Sequence, residues 1–180
     1  MKPFPTIYAK PDQSTATLSP QPLDLRHLEI RWLIRRRMPE VLAIEAACFT
    51  TPWTKPWGED EFIRSLRQRN VIGMTASDLG NNDTIAGYMI YELHHGHLDI
   101  INLAVAPAYQ RQRVGSTMIA KLLSKLSPER RNRLRFGVSE HNLDMHLFLR
   151  AVGARAGRVL RDQYEDNPSD TYEFLISIAD

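Results

Sequence analysis

Hydrophobic positions along the chain follow two different spacings. Apolar residues recur every three to four positions in four segments, a spacing typical of amphipathic helices. These segments cover residues 39–49, 59–67, 115–126 and 143–152. Shorter apolar or alternating runs bounded by turn residues are typical of β-strands. These runs cover residues 71–77, 84–93, 97–105, 134–138, 159–164 and 172–178.

The order of these elements predicts the fold class. Two helices come first, and three strands, a helix, a strand, a helix and two final strands follow. The turn-forming run Asn81-Asn82-Asp83 joins the first two strands as a hairpin. Helices and strands that alternate in this way predict a mixed α/β sheet.

The first 25 residues follow neither spacing. They are rich in Ser, Thr, Gln and especially proline, which interrupts helices and central strands. We therefore expect residues 1–25 to be a flexible extension. The folded domain is expected to begin near Ile30, so that residues 30–180 form one domain, a size typical of a single folding unit.

Composition narrows the class of protein. Hydrophobic residues are 43% and charged residues 24% of the chain, which is ordinary for a globular domain. The net charge of +2 and the short basic runs 35–37 and 130–133 do not favour nucleic-acid binding. No run approaches the roughly 18 apolar residues of a membrane span, and the first residues lack the apolar stretch of a signal peptide. A single cysteine, Cys48, forms no intrachain disulfide and is expected to pack in the interior. We expect a cytoplasmic protein without nucleic-acid or membrane partners.

One stretch carries candidate chemistry, and it reads LAVAPAYQRQRVGST over residues 103–117. An apolar strand ends there, a polar loop with Gln110 and Arg111 follows, and a helix begins near Gly115. The first N–H groups of a helix have no internal acceptor, and the helix dipole adds partial positive charge. Such a junction binds phosphate groups, and glycine allows them to approach the backbone closely. Arg111 and Arg113 add positive charge beside it.

The same stretch resembles the acetyl-coenzyme A pyrophosphate loop of the GNAT superfamily of N-acetyltransferases. That pattern is Gln or Arg, two residues, Gly, one residue, then Gly or Ala. Gln110 takes its first position and Gly115 its last, whereas Arg113 stands where the first glycine is usual. The resemblance spans roughly residues 30–178 and implies the GNAT fold, a largely antiparallel central sheet flanked by helices. It also implies acetyl-coenzyme A as co-substrate.

The resemblance is strongest to the RimI-like branch, which acetylates N-terminal α-amines of proteins. Ile44-Glu45 resembles its first helix, Pro56-Trp57-Gly58-Glu59 its turn into the second helix, and Asn102-Leu103-Ala104-Val105 the end of its fourth strand. By this resemblance the backbone of Leu103 and Val105 pairs with the pantetheine arm. The implied coenzyme-binding residues are Leu103, Ala104, Val105, Gln110, Arg111, Gln112, Arg113, Val114, Gly115, Ser116, Asn142 and Phe148.

The acid–base residues of that branch are missing. Its glutamate or histidine aligns with Gly137, and its helix tyrosine aligns with Leu149. Three candidates remain for catalysis. Asp99 could deprotonate the amine through water, or simply pair with an arginine. Tyr164, at the position of a substrate-side tyrosine, could be the acid or a clamp, or only a half-buried strand residue. Glu140 or His141, just past the strand, could supply a base from a shifted position.

Several other residues have both a structural and a functional interpretation. Asn142 can cap a helix and contact the coenzyme at once. Trp53 and Trp57 are either core anchors or walls of a peptide groove. His94, His95 and His97 fit no helix-based ligand spacing and no metal motif, so we expect turn residues and no metal.

Residues 103–116 and the order of elements predict a protein that uses acetyl-coenzyme A, and the resemblance implies an N-acetyltransferase whose acceptor is the N-terminal α-amine of a protein or peptide. An α-amine titrates near 7.7–8.0 and a lysine near 10.4, so the α-amine needs less help from a base. Two alternatives stay open. One is acetylation of a small amine or a lysine. The other is a coenzyme A-binding module without catalysis, which the substitutions at Gly137 and Leu149 would suit. The acceptor's identity and the oligomeric state do not follow from the sequence.

Overall fold

The computed structural model describes residues 23–51, 54–161 and 170–178. Four α-helices lie within these residues: α1 (Met38–Cys48), α2 (Glu59–Leu66), α3 (Val114–Leu123) and α4 (Leu143–Ala151). The strands are β1 (Leu28–Trp32), β2 (Val71–Asp78), β3 (Thr84–Leu93), β4 (His97–Val105), β5 (Arg133–Ser139), β6 (Arg155–Leu160) and β7 (Thr171–Ser177). None of the helices in these ranges has the length and apolar character needed to cross a membrane.

The strands form one seven-stranded sheet in the order β1-β2-β3-β4-β5-β7-β6. Every neighbouring pair is antiparallel except β4 and β5, which run parallel. The sheet is therefore mixed and largely antiparallel, with helices in the connections, and the predicted fold class is confirmed.

Two elements differ from the sequence-based expectation. The first element is a strand, β1, and not a helix, and it pairs with β2 at the edge of the sheet. The strand expected at 159–164 is β6, which already begins at Arg155 and pairs with β7. Almost every residue of β6 is exposed, so it has no apolar pattern that could mark its start. Residues 1–22 lie outside the described residues, and the flexible extension expected there stays a prediction.

Helices cover both faces of the sheet. On one face α3 and α4 bury Met118, Ile119, Leu122 and Leu149 against the sheet. On the other face α1 and α2 pack through apolar residues such as Phe62, which has no exposed surface. Burial of such side chains is worth about 1.5–3 kcal/mol each, and it holds the two helix layers in place around the centre of the sheet.

The sheet opens between its two central parallel strands. β4 pairs with β5 only over residues 97–100 and 133–136, although β4 continues to Val105. A bulge lies at the same point, because Ile90 and Tyr91 of β3 pair with Asn102 and Ile100 and leave Ile101 without a partner on β3. A bulge bends its strand and re-aims the side chains beside it. Ile100 accordingly packs in the α3 core, whereas Asn102 faces α1.

Candidate active site

A cleft of about 160 Å³ occupies the gap between β4 and β5. Both strands contribute to it, together with α1, the loop before α2 and the start of α4. Its lining residues are Glu45, Phe49, Lys55, Trp57, Ile100, Ile101, Asn102, Leu103, Phe136, Gly137, Val138, Asn142 and Met145. The cleft thus gathers residues that are far apart in sequence at one opening in the sheet.

The end of β4 presents backbone groups to this gap. The N–H of Ala106 donates to Ala86 of β3 at 2.9 Å. Because residues of an antiparallel strand alternate in the direction of their backbone groups, Leu103 and Val105 direct theirs away from β3, towards the gap. An extended ligand can pair with such an edge as an added strand does. This is the part of β4 that the sequence predicted to hold the pantetheine arm.

The helix α3 begins beside the same edge, after a loop with two residues in the left-handed region. Arg111 has a φ of 62° and Arg113 a φ of 67°, and Arg113 is the residue directly before α3. The N–H groups of Val114, Gly115 and Ser116 open the helix and have no intrahelical acceptor. Together with the helix dipole they form a site suited to an anion.

Packing explains the glycine in this first turn. A Cβ on Gly115 would lie 3.2 Å from two ring atoms of Phe148 and 3.6 Å from Cγ2 of Val105. Phe148 of α4 therefore contacts the start of α3. Gly115 and Phe148, which were both predicted to bind the coenzyme, lie next to each other. Ala104, another predicted contact, is buried in the α1 face of the sheet.

The glutamines of the loop hold the backbone around it. Gln110 Nε2 donates to the carbonyl of Val105 at 3.1 Å. Gln112 Nε2 donates to the carbonyl of Ala108 at 2.7 Å, while its Oε1 accepts from the N–H of Leu23, also at 2.7 Å. In this structure both side chains fix the shape of the loop.

Asn142 lies at the other side of the gap. Its side-chain oxygen accepts a hydrogen bond of 3.1 Å from the N–H of Met145 and caps α4, and the residue also lines the cleft. The expected N-cap is therefore present at a place where a bound coenzyme can be reached.

A buried carboxylate, Glu45, forms the α1 side of the cleft. Its side chain is only 1% exposed. Oε1 accepts from the N–H of Trp57 at 2.7 Å, Asn102 Nδ2 lies 3.3 Å from both carboxylate oxygens, and the Tyr88 hydroxyl donates to Oε2. Buried charges are tolerated when they are hydrogen-bonded in this way. The Trp57 ring packs edge to face on Phe62, so this residue is both a core anchor and a wall of the cleft.

Burial raises the pKa of Glu45 above its ordinary value, while the Trp57 N–H and Asn102 oppose the shift. A carboxyl group with a raised pKa is suited to accept a proton near neutral pH. The sequence matched Glu45 to a family helix but did not suggest this role. Its position within the apolar face of an amphipathic helix was the available signal, since a charged residue there needs partners.

Two of the predicted catalytic residues, Asp99 and Glu140, do not line the cleft. Asp99 is bound by Arg135 and does not line the cleft; its Oδ1 accepts from Arg135 Nε at 2.6 Å. The carboxylate of Glu140 accepts from the N–H of Asp170 at 3.1 Å, beyond the end of β5. Both carboxylates therefore form their hydrogen bonds outside the gap, Asp99 with the side chain of Arg135 and Glu140 with the backbone of Asp170. Tyr164 lies outside the described residues, as does Trp53.

Gly137 and Leu149, at the positions of the family's acid–base residues, have different surroundings. Gly137 lines the cleft, and a Cβ there would meet only Cγ2 of Thr171 at 3.4 Å. Leu149 is fully buried in the core beneath α4.

The thiol of Cys48 donates to the Val105 carbonyl at 3.3 Å, and burial raises the pKa of this thiol. A thiol with a raised pKa is a poor nucleophile, which fits the expected packing role.

Comparison with known proteins gives the family context. The model of the acetyltransferase (GNAT) family matches residues 38–154, which is more than half of the chain. A protein of Bacillus subtilis (strain 168), provisionally named a ribosomal protein bS18-alanine N-acetyltransferase, is 25% identical over 138 residues. The match covers 77% of this chain and 87% of that protein.

Solved structures share the fold. The ribosomal-protein-S18-alanine N-acetyltransferase from Escherichia coli superposes with a TM-score of 0.69 at 22% identity, covering 85% of this chain and 96% of that one. Arabidopsis thaliana NAA60 in complex with acetyl-CoA gives a TM-score of 0.71 at 14% identity, covering 84% and 99%.

Proposed function

This chain belongs to the acetyltransferase (GNAT) family, and we propose that it transfers the acetyl group of acetyl-coenzyme A to the N-terminal α-amine of a protein or peptide. The observation that carries the proposal is the cleft between β4 and β5. The open edge of β4 and the buried carboxylate of Glu45 line it, and the N-terminus of α3 lies beside Val105 at the end of the same strand.

The coenzyme half of the site consists of β4 and α3. In the proposal the pyrophosphate accepts hydrogen bonds from the N–H groups of Val114, Gly115 and Ser116, with Arg111 and Arg113 beside it. The pantetheine arm pairs with Leu103 and Val105, for which Gln110 releases the Val105 carbonyl. This arrangement directs the thioester into the gap beside Asn142.

The amine half of the site depends on Glu45. An amine attacks a thioester only in its neutral form, so the incoming ammonium has to lose a proton. In the proposal Glu45 accepts this proton, directly or through one water. The amine nitrogen then bonds to the thioester carbon, and an N–H of the open β4 edge stabilises the oxyanion. The C–S bond breaks as the oxyanion re-forms the carbonyl, and the nitrogen releases its second proton to solvent. The coenzyme thiolate takes a proton as it leaves, and we retain Tyr164 as the proposed donor.

A carboxyl group is a weak base, and this favours the α-amine over a lysine amine as the acceptor. An α-amine with a pKa of about 7.7–8.0 is partly neutral at physiological pH, whereas a lysine near 10.4 is almost wholly charged. A single carboxyl group with a raised pKa meets the smaller demand. The presence of a hydrogen-bonded carboxyl group in the cleft also supports an enzyme over a module that only binds the coenzyme.

Steady-state kinetics with two matched peptides tests the proposal. One peptide has a free α-amine and no lysine, and the other has a blocked α-amine and one internal lysine. Since the relatives are named for an N-terminal alanine, the first peptides begin with alanine. We expect coenzyme A thiol release with the first peptide at a kcat/KM at least tenfold above the second. Equal rates, or release with neither peptide across a panel of first residues, would contradict the proposal.

A further inference from the structure

Three residues at the turn between β3 and β4 form a cluster that the acetyl transfer does not use. The side chains of His94, His97 and Asp99 place one nitrogen or oxygen atom each within 4.8 Å of the others. The histidines fit no metal motif in the sequence, but the fold brings Asp99 of β4 to His94 and His97. The carboxylate of Glu92 from β3 lies beside His94.

Three distances between nitrogen and carboxylate oxygen atoms are compatible with a metal coordination shell. His94 Nε2 lies 3.2 Å from Asp99 Oδ2 and 3.4 Å from Glu92 Oε2, and His97 Nε2 lies 3.2 Å from Asp99 Oδ1. Tetrahedral zinc with bonds of about 2.0–2.2 Å separates its ligand atoms by about 3.3–3.6 Å. The three measured separations lie at or close to this range.

The two ring nitrogens are buried without a hydrogen bond. His94 Nε2 and His97 Nε2 are both shielded from solvent and have no hydrogen-bond partner among the described residues. Buried polar atoms are nearly always hydrogen-bonded, so such exceptions need a physical explanation, and a bound ion is one. The nitrogens are close to carboxylate oxygens but are not aligned to donate to them, as is expected for two ligands that share an ion.

Outer hydrogen bonds and both signs of charge surround the cluster. Glu92 and Asp99 contribute two negative charges, while Arg135 on Asp99, Arg131 at the His94 carbonyl and Arg133 nearby contribute positive charge. Asn70 Nδ2 donates to Glu92 Oε1 at 2.6 Å, and Arg131 Nε donates to the carbonyl of His94 at 2.6 Å.

Arg135 is compatible with ligation by Asp99. A carboxylate has about four lone-pair positions. Arg135 uses one on each oxygen of Asp99, and each oxygen keeps a second for the histidine side. Ligating carboxylates are commonly held by such outer hydrogen bonds.

We propose that His94, His97 and Asp99 bind a divalent metal ion of the zinc type, with the carboxylate of Glu92 beside His94. The imidazole rings lie face to face with centroids 4.6 Å apart. One ring therefore turns about its Cβ–Cγ bond when the ion binds, so that both lone pairs meet at one point. The ion joins β3, the turn and the start of β4, next to the acetyl-transfer cleft but outside it.

Titration of the full-length chain, without an affinity tag and stripped by a chelator, tests the site with Zn²⁺. Calorimetry should show one Zn²⁺ per chain. Loss of an outer hydrogen-bond partner alone lowers metal affinity about 10–100-fold, so His97→Gln and His94→Gln should each weaken binding at least tenfold. His95→Gln is the matched control, since His95 is an exposed residue of the same turn, and it should bind as the unchanged chain does. Zn²⁺ should also raise the melting temperature of the unchanged chain and of His95→Gln.

Co²⁺ gives a second measurement that needs no substitution. The unchanged chain should turn Co²⁺ into a four-coordinate species with intense visible bands, and Zn²⁺ should abolish them. Absence of saturable 1:1 binding, only weak six-coordinate Co²⁺ bands, or undiminished binding by a folded His97→Gln variant would overturn the proposal.

Discussion

Replacing Arg113 with glycine should raise the free energy of unfolding and weaken acetyl-coenzyme A binding at the same time. The backbone of Arg113 lies in the left-handed region with a φ of 67°, directly before α3. This is the position at which the family pattern has glycine. Arg113 therefore places a positive charge at the proposed pyrophosphate site, although its left-handed backbone conformation is unfavourable for a residue with a Cβ.

The change in unfolding free energy and the change in KM follow from typical energies of backbone strain and charge contacts. A left-handed residue with a Cβ costs about 1–2 kcal/mol, which glycine avoids. Glycine also makes the unfolded chain more flexible, which offsets about 0.4–1 kcal/mol. A net gain of about 0.5–1 kcal/mol remains, and it corresponds to a melting temperature about 1–4 °C higher for a chain of this length. Loss of one exposed charge contact of about 0.3–1 kcal/mol should raise the KM for acetyl-coenzyme A about two- to fivefold.

Arg113→Ala is the matched control, since alanine removes the charge but keeps the Cβ. Thermal unfolding monitored by circular dichroism should place Arg113→Gly above Arg113→Ala, and thiol-release kinetics should show a raised KM in both. If Arg113→Gly melts at or below Arg113→Ala, the strain argument is wrong. If neither variant changes KM, the side chain does not contact the coenzyme.

The remaining predictions concern the cleft and its strands. Glu45→Gln keeps an oxygen for the Trp57 N–H and should lower kcat about 100-fold or more; an unchanged kcat in the thiol-release assay would exclude Glu45 as the base. Burial raises the pKa of Glu45 in the folded chain above its value in the unfolded chain. As pH rises from the unfolded towards the folded pKa, the free energy of unfolding of the unchanged chain should therefore fall relative to that of Glu45→Gln. Urea titrations at several pH values that give the opposite slope would contradict the raised pKa. Gly137→Ala should leave stability unchanged or raise it by up to about 1 kcal/mol, since its Cβ would meet Cγ2 of Thr171 at an ordinary 3.4 Å. Gly87→Ala should lower the free energy of unfolding by about 1–3 kcal/mol, since its Cβ would lie 2.8 Å from the carbonyl oxygen of Ala104. Equal urea midpoints for Gly137→Ala and Gly87→Ala would refute this difference in packing.

Helices and central strands could be predicted from the sequence because their burial repeats at a regular spacing. The edge strand β1 was missed although Leu28, Ile30 and Trp32 alternate with charged residues. It has only five residues and follows a proline-rich segment, so its signal is weak. β6 had no comparable signal, because an exposed strand that pairs on one side does not need apolar residues.

The strand–loop–helix segment of the candidate site was more predictable than the carboxylate that faces the cleft. A strand, a loop and a helix start are contiguous in sequence, so residues 103–116 could be recognised together. The surroundings of a carboxylate depend on residues far away along the chain. Glu45 is bound by Trp57 and Asn102, which lie 12 and 57 positions away, and Asp99 by Arg135, which lies 36 positions away. Which carboxylate faces the cleft therefore follows only from the fold.

Mass spectrometry of a single acceptor tests the central claim most directly. A peptide with a free N-terminal alanine and one internal lysine is incubated with the protein and acetyl-coenzyme A, and fragmentation locates the added acetyl group. We expect acetylation of the α-amine within the linear phase, with the lysine unmodified, and a loss of product with Glu45→Gln. Acetyl groups found on the lysine first, or product formation that Glu45→Gln leaves unchanged, would contradict it.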